Sequence, residues 1–160
     1  MENITAKTPW KDHLGEVPFH LDYFEGSMFE AVAAIAEKYP NNVAFDFMGR
    51  STTYKTLVKE VEQCAKALKT IGVREGDRVT IAMPNCPQAI QMFYAVNLVG
   101  GICNMIHPLS AEKEIEFYLN ASESVTAITL DQFYNKFENV RHNTKVVNII
   151  IASIKDELSK

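Results

Sequence analysis

Apolar side chains recur at helical spacing at Met28, Phe29, Val32, Ile35, Ala36 and Tyr39, which predicts an amphipathic helix capped by Ser27 and stopped by Pro40-Asn41-Asn42. The period then changes. Val43 to Met48 alternates as a strand does, Gly49-Arg50 offers a two-residue turn, and Ser51 to Tyr54 is β-branched or aromatic, so a hairpin is expected. Helical spacing returns at Leu57, Val58, Val61, Cys64, Ala65 and Leu68, opposite Lys59, Glu60, Lys66 and Lys69, with Gly72 as the C-cap. After the Glu75-Gly76-Asp77 turn, Arg78 to Met83 reads as a strand. Pro84-Asn85-Cys86-Pro87 then opens a helix, about Gln88 to Leu98, that is apolar almost all round and is expected to be buried.

Gly100-Gly101 ends that helix, and Ile102 to Ile106 predicts a strand stopped before Pro108. Ser110 is the expected cap of a helix that carries Glu112 and Glu114 in its first turn. Val125 to Leu130 and Val146 to Ile151 predict two more strands, with a short helix from Asp131 to Asn139 between them. Strands alternating with helices in this way predict an α/β fold: a mainly parallel sheet with helices on both faces, joined by right-handed crossovers. Residues 1–26 hold no period and contain Pro9, Gly15, Pro18 and Gly26. They read as an extended arm whose Trp10, Phe19, Tyr23 and Phe24 dock on a surface. The expected organisation is this arm followed by an α/β subdomain over residues 27–160.

Composition narrows the functional classes. With 160 residues, 47% of them hydrophobic, the chain suits one soluble domain whose core needs neither disulfide nor metal. Sixteen Lys and Arg against twenty Asp and Glu leave a net charge of −4, which argues against a nucleic-acid partner. Cys64, Cys86 and Cys103 are odd in number and lie in apolar surroundings, fitting a reducing compartment and a cytoplasmic location. No basic-then-apolar leader opens the sequence, and no apolar stretch approaches the ~20 residues of a bilayer span, so neither signal peptide nor membrane span is expected.

Candidate chemistry is sparse. An α/β fold invites a nucleotide site, yet no strand-to-helix turn carries a glycine-rich phosphate loop; Gly72 and Gly76 precede a strand, whereas phosphate loops follow one. Cys103 and His107 lack the further partners a metal would need, and a buried Cys and a satisfied His are the favoured roles. Cys86 sits near a helix N-terminus, where a thiol pKa can fall, but packing is its favoured role in the absence of a nearby histidine. His13, His20 and His142 lie in loop-like stretches, and Glu112 with Glu116 fits a solvated helix face. No catalytic, cofactor-binding or metal-ligating residue is assigned.

Four segments nevertheless occur in a specific order between Thr52 and Ser110: Thr53-Tyr54 with Leu57; Gly72 through Val79, including Gly76 and Asp77; Pro84-Asn85 with Pro87; and Ala95 through Gly100-Gly101 to Pro108. Together with their flanks from Val43 to Leu130, over half the chain, they resemble the N-terminal part of the adenylate-forming enzymes, the AMP-binding family of acyl-CoA synthetases, luciferases and peptide-synthetase adenylation domains. Tyr54, Gly72, Gly76, Asp77, Pro84, Asn85, Pro87, Gly100 and Pro108 are scaffold positions in this resemblance. The sequence departs from the family at His107, where an Asn is usual, and at Gly101-Ile102, where a small Ala-Val or Ala-Ile step is usual.

The resemblance implies ATP-dependent activation of a carboxylate as an acyl-adenylate, then transfer to a thiol, with ATP, Mg and coenzyme A as cofactors of the full-length enzyme. The stretch from Val146 to Leu158 is similar to the fatty-acid ligases in particular. The family's Pro-Lys-Gly phosphate loop, aromatic-Thr-Glu element, ribose-binding Asp and catalytic Lys do not occur up to Lys160. On this reading the chain is an N-terminal fragment, inactive alone and without cofactors of its own, whose partners are missing downstream ligase subdomains. Apolar faces at Gln88 to Leu98 and Val146 to Ile151 would then be exposed, and self-association is expected. The alternatives are a small self-contained α/β binding or interaction module without catalysis, and an unrelated enzyme using Cys86 or Cys103.

Overall fold

Ser27 starts the first helix through a capping box. Its Oγ accepts the Glu30 N–H at 3.2 Å while Glu30 Oε2 accepts the Ser27 N–H at 2.6 Å, fixing α1 at Met28–Lys38. In this computed structural model, which describes residues 8–158, Phe29 and Ala36 bury the inner face of α1. Met28, Ile35 and Tyr39, expected on that face, are exposed. Before α1, a 3-10 turn at Pro9–His13 is followed by irregular chain. Trp10, Phe19, Tyr23 and Phe24 are exposed there, from 41 to 74%.

The hairpin pairs β1 (Val43–Phe47) with β2 (Arg50–Thr53). Its turn is Met48-Gly49, one residue earlier than Gly49-Arg50. Both turn residues have positive φ, 49° and 84°, the geometry that matches the twist of the strands, and Phe47 pairs with Arg50 across it. α2 (Tyr54–Thr70) is capped by Thr53, whose Oγ1 accepts the Thr56 N–H at 3.3 Å. It closes at Ile71, with Gly72 one position beyond the cap at φ 96°. The N–H groups of Gly72 and Val73 return to the carbonyls of Lys69 and Leu68, and Val73 and Leu68 are both buried.

Four strands, β3 (Arg78–Ala82), β4 (Ile102–Met105), β5 (Thr126–Leu130) and β6 (Asn148–Ala152), form one parallel sheet in the order β4-β3-β5-β6. The hairpin is a separate antiparallel pair. Alternation along the strands sorts the core into two layers. Val79, Ile81, Ile128 and Leu130 pack with α1, α2 and α3 (Pro87–Val99), whereas Ala82 and Ala127 pack with Ile115 and Leu119 of α4 (Glu112–Ser122) and Phe137 and Val140 of α5 (Tyr134–Arg141). Helices therefore cover both faces, as the alternating pattern predicts. Under α4, Thr80, Asn104, Ser122 and Ser124 satisfy one another in a buried hydrogen-bonded chain.

Three local expectations need correction. α4 is capped at Ala111, not Ser110: Glu114 Oε2 reaches back to accept the Ala111 N–H at 2.9 Å, while Ser110 is buried and offers its carbonyl to Lys136 Nζ. The stretch from Asp131 is a 3-10 turn to Phe133 before α5 begins. α3 is not buried all round; Ala89, Gln91, Ala95, Val96 and Val99 are buried, but Ile90, Met92, Phe93, Tyr94 and Leu98 are half-buried. The buried Gln91 is tolerated because its Nε2 donates to Glu60 of α2 at 2.9 Å. After β6 the chain crosses back over the start of α3, where Gln88 Nε2 donates to the Ser153 carbonyl at 2.9 Å, and Glu157 pairs with Arg50 of the hairpin at 3.0 Å.

Candidate functional site

The nine scaffold positions separate to different places on the fold. Gly72, Gly76, Asp77 and Gly100 gather where strands β3 and β4 begin. The Gly76 N–H donates to the Gly100 carbonyl at 2.9 Å, Asp77 Oδ2 accepts the Arg74 N–H at 2.8 Å, and the Ile102 N–H donates to the Asp77 carbonyl at 2.8 Å. This knot sets the register of β3 and β4. Pro84, Asn85 and Pro108 lie at the other end of the sheet, with Pro87 buried as the first residue of α3. Tyr54 opens α2 beside them.

At that carboxyl end the loops after β3, β4 and β5 enclose a crevice of about 640 Å³. The step from β3 to β4 and the return across β3 to β5 send α3 and α4 to opposite faces, so the crevice lies at the switch point where open α/β sheets bind ligands. Its walls are largely apolar, with Met83, Ile106, Leu109 and Phe133, and three polar side chains, Asn85, His107 and Gln132, face it from three different loops. His107 is exposed rather than satisfied in a core. Its Nδ1 accepts the Leu109 N–H at 3.2 Å, which puts the proton of the neutral ring on Nε2. Lys136 stands beside the crevice, donating to the carbonyls of Leu109 and Ser110 at 3.3 and 3.0 Å, with its ammonium 5.7 Å from the centre of the Phe133 ring.

A second cavity of about 450 Å³ runs along the half-buried side of α3 toward α1 and the hairpin, lined by Val32, Phe45, Tyr54, Ile90, Phe93 and Tyr94 among others. It shares Asn85 and Met105 with the crevice. The sequence expected α3 to be buried almost all round, and the groove along its half-buried side was not foreseen. Nor did the spacing of His107, Gln132 and Lys136 mark the crevice, because only the strand order brings those loops together.

Burial favours the neutral thiol at all three cysteines. Burial pushes Cys86 above its ordinary pKa, outweighing the Ala89 and Gln88 backbone N–H groups at the start of α3, and Glu157 adds to the rise. Burial likewise raises Cys103 to about 11, its Sγ directed at the Phe93 carbonyl at 3.5 Å, and raises Cys64 with help from Glu60 and Glu157. Among the described residues no group of three or more His, Cys, Asp or Glu is arranged to hold a metal ion.

A family model described as AMP-binding enzyme matches residues 32–160. A long-chain-fatty-acid–CoA ligase of Bacillus subtilis (strain 168) is 29% identical over 156 residues, 97% of this chain and 28% of that protein. Another of the same description, from Salmonella typhimurium, is 30% identical over 134 residues, 83% and 24% of the respective chains. The crystal structure of a long-chain-fatty-acid-CoA ligase from Archaeoglobus fulgidus superposes with a TM-score of 0.77 at 24% identity, covering 85% of this chain and 30% of the other. That likeness establishes a shared fold. The chain spans about a quarter of the length of the curated relatives it matches.

Proposed function

The chain belongs to the AMP-binding enzyme family, and from that premise we propose that it forms the N-terminal scaffold of an ATP-dependent acid–thiol ligase acting on long-chain fatty acids. In such a reaction a carboxylate oxygen attacks the α-phosphorus of ATP and pyrophosphate leaves, giving an acyl-adenylate. The thiol of coenzyme A then gives up its proton and attacks the acyl carbon, and AMP departs. The substrate class rests on the relatives named as long-chain-fatty-acid–CoA ligases, which align over 97% and 83% of this chain.

The part assigned to this chain is architectural. The loops that follow β3, β4 and β5 carry Pro84-Asn85, His107-Pro108 and Asp131-Gln132, without the glycines of a backbone phosphate cradle, which supports this reading. Contacts to ATP, Mg²⁺ and coenzyme A are therefore assigned to further subdomains of the ligase, which are also the partners for the apolar side chains exposed on this chain. Enzymes of this kind must lower barriers by about 8–23 kcal/mol with preorganised charge at the reacting atoms, and the assigned scaffold residues supply none. A cytoplasmic setting is part of the proposal, in keeping with three thiols that form no disulfide. No helix among the described residues is long and apolar enough to cross a membrane.

ATP–pyrophosphate exchange tests the reading. The purified 160-residue chain is expected to give none with oleate, while a ligase that contains the chain gives exchange and forms oleoyl-CoA. Exchange by the 160 residues alone, abolished by mutating one of them, would overturn the architectural role.

A further inference from the structure

Val17, Phe19, Leu21 and Tyr23 alternate with Pro18, His20 and Asp22, the period of a strand with one apolar face. No strand forms there. The chain bends at Phe19 and His20, where the Lys11 ammonium lies 3.9 Å from the centre of the Phe19 ring, and all four apolar side chains are exposed. Among the described residues, no backbone N–H or C=O from residue 18 to residue 26 has a hydrogen-bond partner. A segment patterned for a sheet therefore stands outside one.

The edge strand β4 has the complementary deficit. The N–H groups of Ile102 and Ile106 donate to the Asp77 and Ile81 carbonyls on the β3 side, so alternation turns the N–H and C=O groups of Cys103 and Met105 outward. Neither charge nor proline guards that edge. The arm begins beside it. The Phe29 N–H donates to Asn97 Oδ1 at 2.8 Å, which ties the start of α1 to the last turn of α3, just before β4. Three residues separate Tyr23 from Ser27 and three separate Val99 from Cys103, matched spans of about 13 Å that run side by side if the two segments are antiparallel.

We propose that residues 17–23 are a strap that closes on β4 of the same chain as a fifth, antiparallel strand, with Tyr23 opposite Cys103 and Leu21 opposite Met105. One register answers several constraints. The residues that bond to β4 are the odd-numbered ones, so Pro18, which has no N–H to give, turns to solvent as an edge strand requires. Paired residues share a face of the sheet. Cys103 directs its Sγ at the Phe93 carbonyl and Met105 lines the groove along α3, so Leu21 and Tyr23 come to lie on that open flank, and His20 and Asp22 on the other face. Closure covers Met105, where the groove and the crevice meet, and exchanges the contact of Lys11 with Phe19 for ladder hydrogen bonds.

Hydrogen exchange of the purified 160-residue chain, read by NMR, tests the strap. The amides of Cys103 and Met105 are expected to exchange about fivefold faster in Leu21→Pro, which removes an inward N–H, than in wild type, and at the wild-type rate in Asp22→Pro, whose lost N–H faces outward. Both positions are exposed, so both variants keep the body of the fold. In oxidised glutathione, Leu21→Cys combined with Met105→Cys should close a disulfide within one chain, since Cα atoms of a bonded pair lie about 5.5 Å apart, while Asp22→Cys with Met105→Cys should lag about tenfold. If Cys103 and Met105 exchange as fast in wild type as in Leu21→Pro, or if the two cysteine pairs cross-link at one rate, the strap is overturned. A disulfide joining two chains, or protection that grows with protein concentration, would give the strand to a second copy and equally overturn closure on its own chain.

Discussion

Gly76 and Gly100 hold each other through one hydrogen bond of 2.9 Å, each at a positive φ, 80° and 84°. The pairing joins the turn before β3 to the end of α3 and brings the chain so close that a Cβ on Gly100 would lie 2.9 Å from Glu75 Cγ. Gly100→Ala is expected to destabilise the fold by about 1–3 kcal/mol, from the left-handed backbone and the crowding combined. Gly49→Ala, equally left-handed but with nothing within 4 Å, should cost less. Urea denaturation of both variants checks the difference, and equal losses would show that crowding at Glu75 is relieved without cost.

The capping box at α1 makes stability respond to acid. Hydrogen bonds from the Ser27 N–H and hydroxyl hold the Glu30 carboxyl below its ordinary value of 4.5. A depressed folded pKa means the contribution is present above 4.5 and is lost as pH falls through the lower folded value. Glu30→Gln should therefore flatten the melting temperature between pH 5 and 3 relative to wild type, measured by circular dichroism. Ser27→Ala is expected to lose about 1 kcal/mol at neutral pH through the missing cap.

Thiol chemistry should be silent until the chain unfolds. With Cys103 raised to about 11 and Cys86 buried and also raised, both are neutral thiols at pH 8. Iodoacetamide labelling of either at pH 8 is expected only in denaturant. Because the folded pKa of Cys103 exceeds the ordinary 9.0, the stability it contributes is complete below that value and fades as pH rises through about 11. Rapid labelling of native Cys86 would contradict the burial described above.

Self-association is expected at the sheet edges. β4 exposes Ile102 and Met105, and β6 and its approach expose Val147 and Ile151, with no charge on either strand to repel a second copy. Sedimentation velocity should show a concentration-dependent shift that Ile151→Lys reduces. A monomer at every concentration tested, with no binding of a hydrophobic dye, would remove the expectation.

Much of the architecture was legible because periodicity survives folding. Helices α1 to α3 and all six strands lie where the spacing of Phe29, Leu57, Val79 and their neighbours places them. The misreadings are at positions where a single backbone angle or a distant side chain decides. Met48 enters the left-handed region although glycine is the residue built for it. Ala111 caps α4 because Glu114 reaches back, so a cap without a side-chain oxygen left no mark at that residue. The crevice was illegible for a different reason. Asn85, His107 and Gln132 are each more than twenty residues from the next, and only the crossing from β4 over β3 to β5 makes them neighbours.

That crossing also sets a timetable for synthesis. β3 leaves the ribosome before both strands that flank it, and its wholly buried Val79 and Ile81 have no sheet to join until residues 102–105 and 126–130 follow. The hairpin waits longer still, since Arg50 meets Glu157 only after another hundred or so residues are made. A nascent chain paused between β3 and β5 would show a helical hairpin over an unfinished strand, the kind of surface that chaperones hold until the next segment arrives.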